Sequence, residues 1–212
     1  MVVFDLDGTL LNTLEDLANA TNWALRQNGL PERSIDEVRS FVGNGVRRLI
    51  ERSVPDGEQN VHFEQVFADF KGYYVNHCQE RTRLYDGIAE LLHELKARGF
   101  RLAIVSNKLQ AGVDELYDRY FCDTVEVAVG ERPDVQRKPA PDMVRAALQA
   151  LGVTAEEAVY VGDSDVDLAT ARNSGLPCIS VLWGFRDRAF LEAHGAETFA
   201  ERPSDILPLL IC

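Results

Sequence analysis

The 212-residue sequence predicts an α/β protein in which a doubly wound parallel sheet carries an inserted helical domain. Three observations predict this class. A short, β-branched strand begins at Val2, the segment from about 14 to 80 has helical periodicity throughout, and the remaining chain alternates helices with apolar strands. Strands separated by helices imply right-handed crossovers and a mainly parallel sheet covered on both faces. We therefore predict a core of residues 1–13 and 82–212 and a helical cap of residues 14–81.

The cap sequence contains recognisable helix starts and ends. Asn28-Gly29 ends the first helix, and Ser34 with Glu37 three positions later forms a capping-box pattern that begins the second. Gly43-Asn44-Gly45 precedes the third. Together the signals predict four helices, over about 14–27, 34–40, 46–53 and 61–78.

The core sequence alternates between helix and strand. Apolar runs predict strands over about 102–105, 124–129, 159–161 and 178–182. Helical spacing predicts helices over about 88–95, 111–120 and 144–151, and another that ends near Asn173. In this interpretation Ser106-Asn107 ends its strand, and residues 162–167 form the loop after the 159–161 strand.

Two carboxylates follow the first strand directly. Side chains alternate along a strand, so Asp5 and Asp7 are expected on the same side. Two like charges held so close repel each other, and a hard cation such as Mg²⁺ would offset that repulsion. Gly8 permits a positive φ, which lets the chain turn away after the acids.

Four polar clusters fall near the ends of predicted strands or in the loops beside them. They are Asp5 with Asp7, Ser106-Asn107, Lys138, and Asp163 with Asp167. In a parallel sheet these edges converge in one crevice. Their chemistry is complementary, because carboxylates suit a metal and a nucleophile, a hydroxyl and an amide suit phosphate oxygens, and a lysine neutralises charge.

The motifs resemble those of the haloacid dehalogenase-like superfamily of phosphatases over essentially the whole chain. They read Asp5-Leu6-Asp7-Gly8-Thr9, Ser106-Asn107, Lys138-Pro139-Ala140-Pro141, and Gly162-Asp163-Ser164 followed by Asp167. Within the superfamily the sequence looks most similar to the phosphoglycolate phosphatase group, through residues 41–45 and Leu182-x-Gly184. The resemblance implies a Rossmann-like core with a helical cap.

The resemblance also implies a reaction and a metal. Asp5 would be the nucleophile that forms an aspartyl-phosphate, and Asp7 would protonate the leaving alcohol and then deprotonate the attacking water. Mg²⁺ would be held by Asp5, the backbone carbonyl of Asp7, and Asp163. The second acid, Asp7, argues for phosphate chemistry, because in this superfamily a dehalogenase lacks it.

Further residues would bind or support the phosphoryl group. Ser106 and Lys138 would contact it, with Asn107 supporting, and Asp167 would orient Lys138 or complete the outer shell of the metal. Ser106 has an alternative interpretation as a cap of the next helix. The remaining supporting positions are Gly8, Thr9 and Ser164.

Four cap residues, Gly43, Asn44, Gly45 and Arg47, are candidate substrate-specificity residues. The glycines suit either a helix start or a loop that approaches substrate. Arg47 suits either a bidentate contact with a substrate carboxylate or a solvated helix face.

The predicted function is a Mg²⁺-dependent phosphatase of a small phosphorylated metabolite, with 2-phosphoglycolate the leading candidate. A phosphomutase of the β-phosphoglucomutase type, a pyrophosphatase and a nucleotidase stay open. A phospho-accepting receiver domain would lack a helical insertion after its first strand, and a dinucleotide-binding module would need a G-x-G-x-x-G after a strand.

Charge and cysteine content indicate the setting. The net charge of -12 disfavours nucleic acid and anionic membrane as partners. Four scattered cysteines, no basic leader before Val2 and no long apolar run predict a cytoplasmic protein with free thiols. The sequence is compatible with a monomer or a homodimer.

Overall fold

A computed structural model describes residues 1–211 of the chain. The chain forms two compact units. The core unit contains Met1–Leu11 and the chain from Leu84 onward, and the helical unit contains Asn12–Arg83. The helical unit extends two residues further at each end than the predicted cap of residues 14–81.

The core unit is built on a six-stranded parallel sheet, which confirms the predicted α/β class. Its strands follow the order β5-β4-β1-β6-β7-β8, so β1 lies between β4 and β6. The short strands β2 and β3 pair separately. Within residues 1–211 the strands are β1 Val2–Phe4, β2 Leu11–Asn12, β3 Arg83–Leu84, β4 Leu102–Leu109, β5 Val127–Glu131, β6 Val159–Gly162, β7 Cys178–Val181 and β8 Phe199–Ala200.

Helices account for most of the remaining described chain. None of those within residues 1–211 combines the length and apolar character needed to cross a membrane. The α-helices are α1 Leu14–Gln27, α2 Ile35–Phe41, α3 Val46–Ser53, α4 Phe63–His77, α5 Ile88–Ala97, α6 Gln110–Tyr120, α7 Asp142–Leu151, α8 Asp165–Ser174, α9 Arg188–Ala193 and α10 Ile206–Ile211.

Apolar side chains bury both faces of the sheet. Val2 and Phe4 of β1 pack on the face covered by α5, α6 and α10, whereas Val3 packs on the face covered by α7. This alternation follows the two-residue period of a strand. Full burial of each such side chain contributes about 1.5–3 kcal/mol, so the central strand is a firm support for the acids that follow it.

The helical unit contains α1 to α4. The Trp23 ring of α1 stacks on the Tyr73 ring of α4 at 4.6 Å. Ser34 begins α2 with the predicted capping box, since its hydroxyl accepts from the Glu37 N–H. The buried Asp16 carboxylate accepts hydrogen bonds from the backbone N–H groups of Arg81 and Thr82, which ties the start of α1 to the end of the unit.

Several predicted boundaries around the strands are wrong. Strand β1 ends at Phe4, so Asp5 and Asp7 lie beyond the strand and its alternation does not govern them. Strand β4 continues beyond Ser106 to Leu109, because its last residue pairs with Glu131 of β5. Residues 165–167 belong to α8 rather than to a loop. In addition, the strand predicted at 124–129 begins at Val127, because the chain before it turns back on Phe121.

Candidate active site

Three neighbouring strands bring the predicted polar residues to one edge of the sheet. Asp5 follows β1, and its N–H donates to a carbonyl of β6 at 2.9 Å. Ser106 lies near the end of β4 on one side, and Asp163 follows β6 on the other. Lys138 from the loop before α7 and Asp167 from the first turn of α8 reach the same place.

A buried lysine joins two of the acids. The Nζ of Lys138 donates to Asp5 Oδ1 at 2.7 Å and to Asp167 Oδ1 at 2.8 Å. It also lies 3.1 Å from the Tyr160 hydroxyl, which in turn donates to Asp167 Oδ1 at 2.9 Å. Only 3% of the Lys138 side chain is exposed, so its ammonium depends on these partners for solvation.

Asn107 holds the backbone of this lysine. Its Oδ1 accepts from the Lys138 N–H at 2.8 Å, and its Nδ2 donates to the Lys138 carbonyl at 3.1 Å. Both polar atoms of the side chain therefore contact Lys138. This arrangement favours a positioning role for Asn107 within the predicted phosphate-binding set.

Asp163 is fixed through both carboxylate oxygens. Oδ1 accepts from the Thr9 hydroxyl at 3.1 Å, and Oδ2 accepts from the Phe185 N–H at 2.7 Å. Two glycines make room for it: a Cβ at Gly8 would lie 2.5 Å from Asp163 Oδ2, and one at Gly184 would lie 2.3 Å from its Cβ. Gly8 also has the positive φ predicted from the sequence, at 94°.

Asp167 is oriented by the start of α8. Its Oδ2 accepts from the Ser164 N–H at 3.1 Å and from the Ser164 hydroxyl at 2.6 Å. The Ser164 hydroxyl accepts from the Asp167 N–H at 3.4 Å, which completes a capping box. With Oδ2 held in this way, Oδ1 faces Lys138, which agrees with the predicted orienting role of Asp167.

Burial and the closeness of other carboxylates raise the pKa of two of the acids. Burial, followed by repulsion from Asp167, raises the pKa of Asp5 well above its usual value, although Lys138 opposes the shift. Burial and Asp167 raise the pKa of Asp163 to about 7. Burial lowers the pKa of Lys138, but the carboxylates of Asp167 and Asp5 outweigh that effect and raise it well above its usual value. One lysine therefore does not balance this group of acids.

The same acids suit a divalent cation. Asp5, Asp163 and Asp167 are buried, and they can each offer an oxygen such that the three oxygens lie within 4.8 Å of one another. Buried carboxylates with excess negative charge are the donor set that Mg²⁺ prefers. Two of them, Asp5 and Asp163, are predicted ligands, and the residues present therefore fit the metal.

The second acid of the first motif has a different partner. Asp7 Oδ1 lies 3.2 Å from the Nζ of Lys108, a buried lysine on β4. The Lys108 N–H also donates to the Ser106 Oγ at 3.2 Å. Ser106 does not cap α6, because Leu109 occupies the position before that helix, so this alternative interpretation of Ser106 is wrong.

Sequence reasoning missed Lys108 and Tyr160. Lys108 directly follows the Ser106-Asn107 motif, and extending the predicted strand would have included it. Tyr160 is a phenol in a buried strand two residues before Gly162. A buried tyrosine hydroxyl usually has a hydrogen-bond partner. The sequence therefore offered a signal that Tyr160 contacts a polar residue of the motif that follows it.

The candidate specificity residues lie in the helical unit. Gly43 and Gly45 precede α3 with φ values of 121° and 80°. Arg47 donates to Glu58 at 2.8 Å and to Glu64 at 2.7 Å. Its guanidinium also lies over the rings of two phenylalanines, at 4.8 Å from Phe63 and 5.3 Å from Phe67. These contacts favour the interpretation of Arg47 as part of the helix surface.

A role in substrate specificity stays a prediction for the four candidate positions, Gly43, Asn44, Gly45 and Arg47.

Comparison with known proteins gives consistent results. Residues 2–181 match the family described as haloacid dehalogenase-like hydrolase. The chain is 33% identical to the phosphoglycolate phosphatase of Aquifex aeolicus, over 99% of this chain and 96% of that protein. It is 35% identical to the phosphoglycolate phosphatase of Cereibacter sphaeroides, over 99% of this chain and 98% of that protein.

A solved structure resembles this protein over nearly the whole chain. The crystal structure of a protein from Lactobacillus delbrueckii subsp. bulgaricus, whose proposed activity is phosphoglycolate phosphatase, superposes with a TM-score of 0.94. It is 34% identical to this chain, and the match covers 99% of this chain and 97% of that one. The likeness therefore extends through both units.

Proposed function

The chain belongs to the haloacid dehalogenase-like hydrolase family and is a phosphatase, and on that premise we propose that it hydrolyses 2-phosphoglycolate with Mg²⁺ and a phosphorylated Asp5. The observation that carries the proposal is the buried cluster in which Lys138 joins Asp5 and Asp167 beside Asp163. Such a cluster needs added positive charge, which a divalent metal would supply, and the metal together with Lys138 would then bind the negative phosphoryl group.

Asp5 is the proposed nucleophile. One of its carboxylate oxygens forms a bond to phosphorus while the bond between phosphorus and the ester oxygen breaks, and the electron pair stays on that ester oxygen. Asp7 gives this oxygen a proton, which releases the alcohol. A water then attacks the phosphorus, Asp7 takes a proton from it, and inorganic phosphate leaves with the Asp5 carboxylate restored.

Other residues position the phosphoryl group. Because the Ser106 Oγ accepts from the Lys108 N–H, its own hydrogen is directed elsewhere, and we assign it to a phosphoryl oxygen. Lys138 neutralises the oxygens gathered at Asp5, and its backbone is held by Asn107. Asp5, the backbone carbonyl of Asp7, and Asp163 would hold the metal, with Asp167 beside them. When bound, Mg²⁺ would supply further positive charge to the transferring group.

The choice of substrate rests on the relatives. The proteins from Aquifex aeolicus and Cereibacter sphaeroides both carry the name phosphoglycolate phosphatase, and this chain matches nearly their full length. A cytoplasmic location is also proposed. The three described cysteines, Cys78, Cys122 and Cys178, are free thiols, which supports that location.

An activity panel tests the proposal. Purified protein would be assayed with Mg²⁺ and with EDTA against 2-phosphoglycolate, hexose phosphates, nucleoside monophosphates and pyrophosphate. We expect 2-phosphoglycolate to give the highest kcat/KM, EDTA to abolish turnover, and Asp5→Asn to lower kcat at least about 10³-fold, because the nucleophile is lost. Asp118→Asn, on the exposed side of α6, is the matched control. Full activity in Asp5→Asn would exclude the mechanism, and a preference for another substrate would exclude 2-phosphoglycolate.

A further inference from the structure

Lys108 is a buried charged residue whose side chain the reaction described above does not use. Only 5% of its side chain is exposed, and its Nζ lies 3.2 Å from Asp7 Oδ1. The Asp7 side chain is 17% exposed, so this ion pair lies at the margin of the site rather than in bulk solvent. A lysine is rarely buried without a partner, and here one partner is Asp7, the proposed acid and base.

An irregularity in β4 places this lysine. The strand advances from Val105 to Leu109 while its neighbour β5 advances only from Val129 to Glu131. Such a bulge bends a strand and redirects its side chains, often beside an active site. The three residues between, Ser106, Asn107 and Lys108, are all buried. They contribute respectively a hydroxyl, the support of Lys138, and the contact with Asp7.

One glycine accommodates the bulge, and a second lies beside the lysine stem. A Cβ at Gly130 of β5 would lie 2.9 Å from the Lys108 carbonyl oxygen and 2.8 Å from Gln110 Cα, so the close approach of these segments requires glycine. A Cβ at Gly112 would lie 3.5 Å from Lys108 Cε, which shows that the lysine stem lies against the first turn of α6. The lysine is therefore held along its backbone and its stem.

Asp7 lacks the fixed support of its neighbours. Asp163 and Asp167 are each held through both carboxylate oxygens, whereas among the described residues the Asp7 carboxylate has its contact with Lys108 through Oδ1. A proton donor must be placed within a fraction of an ångström of the departing oxygen, because a displacement of about 1 Å can lower a rate about 10²-fold.

We propose that Lys108 is a positioning residue that holds the Asp7 carboxyl group toward the leaving oxygen. The inference rests on the proposed function, since it assigns Asp7 the proton that the alcohol receives when its bond to phosphorus breaks. Lys108 itself forms and breaks no covalent bond. Its ammonium fixes one oxygen of Asp7, and the other oxygen is left to exchange the proton.

A comparison of leaving groups tests the proposal. An alkyl phosphate such as 2-phosphoglycolate needs its departing oxygen protonated, whereas p-nitrophenyl phosphate releases an anion that is stable without a proton. The ratio kcat/KM reports the steps through first phosphoryl transfer. We expect Lys108→Met to lower kcat/KM for 2-phosphoglycolate about 10²-fold and that for p-nitrophenyl phosphate less than about threefold.

Two further variants complete the design. Lys108→Arg keeps the charge and should recover most of the alkyl phosphate rate, and Lys96→Met makes the same chemical change on the exposed surface of α5 and should alter neither substrate. If Lys108→Met does not fold, Lys108→Gln, which keeps a polar group near Asp7, is measured by the same ratio, and a selective loss on the alkyl substrate is still expected.

The outcomes separate this inference from the proposed function. Equal losses on both substrates, or no loss on either, would overturn the positioning role while leaving a wild-type phosphatase intact. A wild-type enzyme that does not hydrolyse 2-phosphoglycolate would instead overturn the substrate assignment. In that case the same ratio, measured with the alkyl phosphate that the enzyme does use, decides the role of Lys108.

Discussion

Lys138 in the core unit and Arg47 in the helical unit each bind two carboxylates, but the two clusters differ in burial and in origin. The Lys138 side chain is 3% exposed, and its partners Asp5 and Asp167 come from distant parts of the sequence. The Arg47 side chain is 40% exposed, and both of its partners lie within 17 residues along the chain.

The difference in burial reverses the net pKa shift of the partner acid, although both cations act to lower that pKa. Arg47 lowers the pKa of Glu64, chiefly through a hydrogen bond, because little desolvation opposes it at the surface. Lys138 does not achieve this for Asp5, whose pKa is raised because burial and two neighbouring acids outweigh the lysine. The buried Lys138 cluster therefore carries negative charge that one lysine does not offset, whereas at the surface Arg47 stabilises the charged form of Glu64.

The largest expected effect comes from removing the buried lysine. Lys138→Met leaves Asp5 and Asp167 without their shared cation, and breaking a buried ion pair by removing one partner costs about 3–5 kcal/mol. We expect a decrease of that size in the free energy of unfolding, measured by urea denaturation, together with loss of phosphatase activity.

Lys96→Met is the matched control for stability, because Lys96 is exposed on α5. If Lys138→Met lowers the free energy of unfolding by less than about 1 kcal/mol, the buried cluster contributes no more to stability than a surface ion pair. That result would contradict the difference in stability that we expect between the Lys138 and Arg47 clusters.

An intermediate effect is expected from metal and pH together. The pKa of Asp163 is about 7 in the folded protein and 3.8 in the unfolded chain, so the metal-free fold binds the proton more tightly. Its contribution is fully present below about pH 4 and is lost as the pH rises to about 7. Mg²⁺ should therefore raise the thermal midpoint more at pH 8 than at pH 5, since protons compete with the metal at the lower pH.

Differential scanning fluorimetry with and without Mg²⁺ measures this difference. Asp163→Asn should remove most of the Mg²⁺-induced shift at both pH values, while Arg47→Ala should keep it. A shift of equal size at pH 5 and pH 8 in the wild type would contradict the assignment of Asp163 as a metal ligand with a raised pKa.

The smallest effect is expected in the helical unit. Arg47→Ala removes contacts with Glu58 and Glu64 that are largely exposed, and such pairs contribute little to stability. We expect the free energy of unfolding, measured by urea denaturation, to fall by less than about 1 kcal/mol. We also expect kcat/KM for 2-phosphoglycolate to stay within about twofold of the wild type, since the guanidinium is already engaged.

Steady-state kinetics with 2-phosphoglycolate decides this point. Arg48→Ala, which removes the neighbouring arginine and its contact with Glu51, provides the control. A loss above about tenfold in Arg47→Ala alone would support the substrate contact predicted from the sequence rather than a surface role.

Local signals in the sequence predicted local structure well. The α1 and α3 ranges agree with the predicted 14–27 and 46–53, and the Ser34 capping box is present. These features depend on residues within a few positions of one another, so their physical causes are contained in a short window. The strand boundaries were less predictable, because β4 extends only through its pairing with β5.

The sequence by itself determined the α/β class, the family resemblance and the identity of the acids and the lysine at the strand ends. Only the tertiary structure decided their partners: Asn107 on the Lys138 backbone, Tyr160 between Lys138 and Asp167, and Lys108 on Asp7. The physical reason is that residue type and spacing fix local conformation, whereas a buried polar contact depends on which distant strands become neighbours and on how much water they exclude.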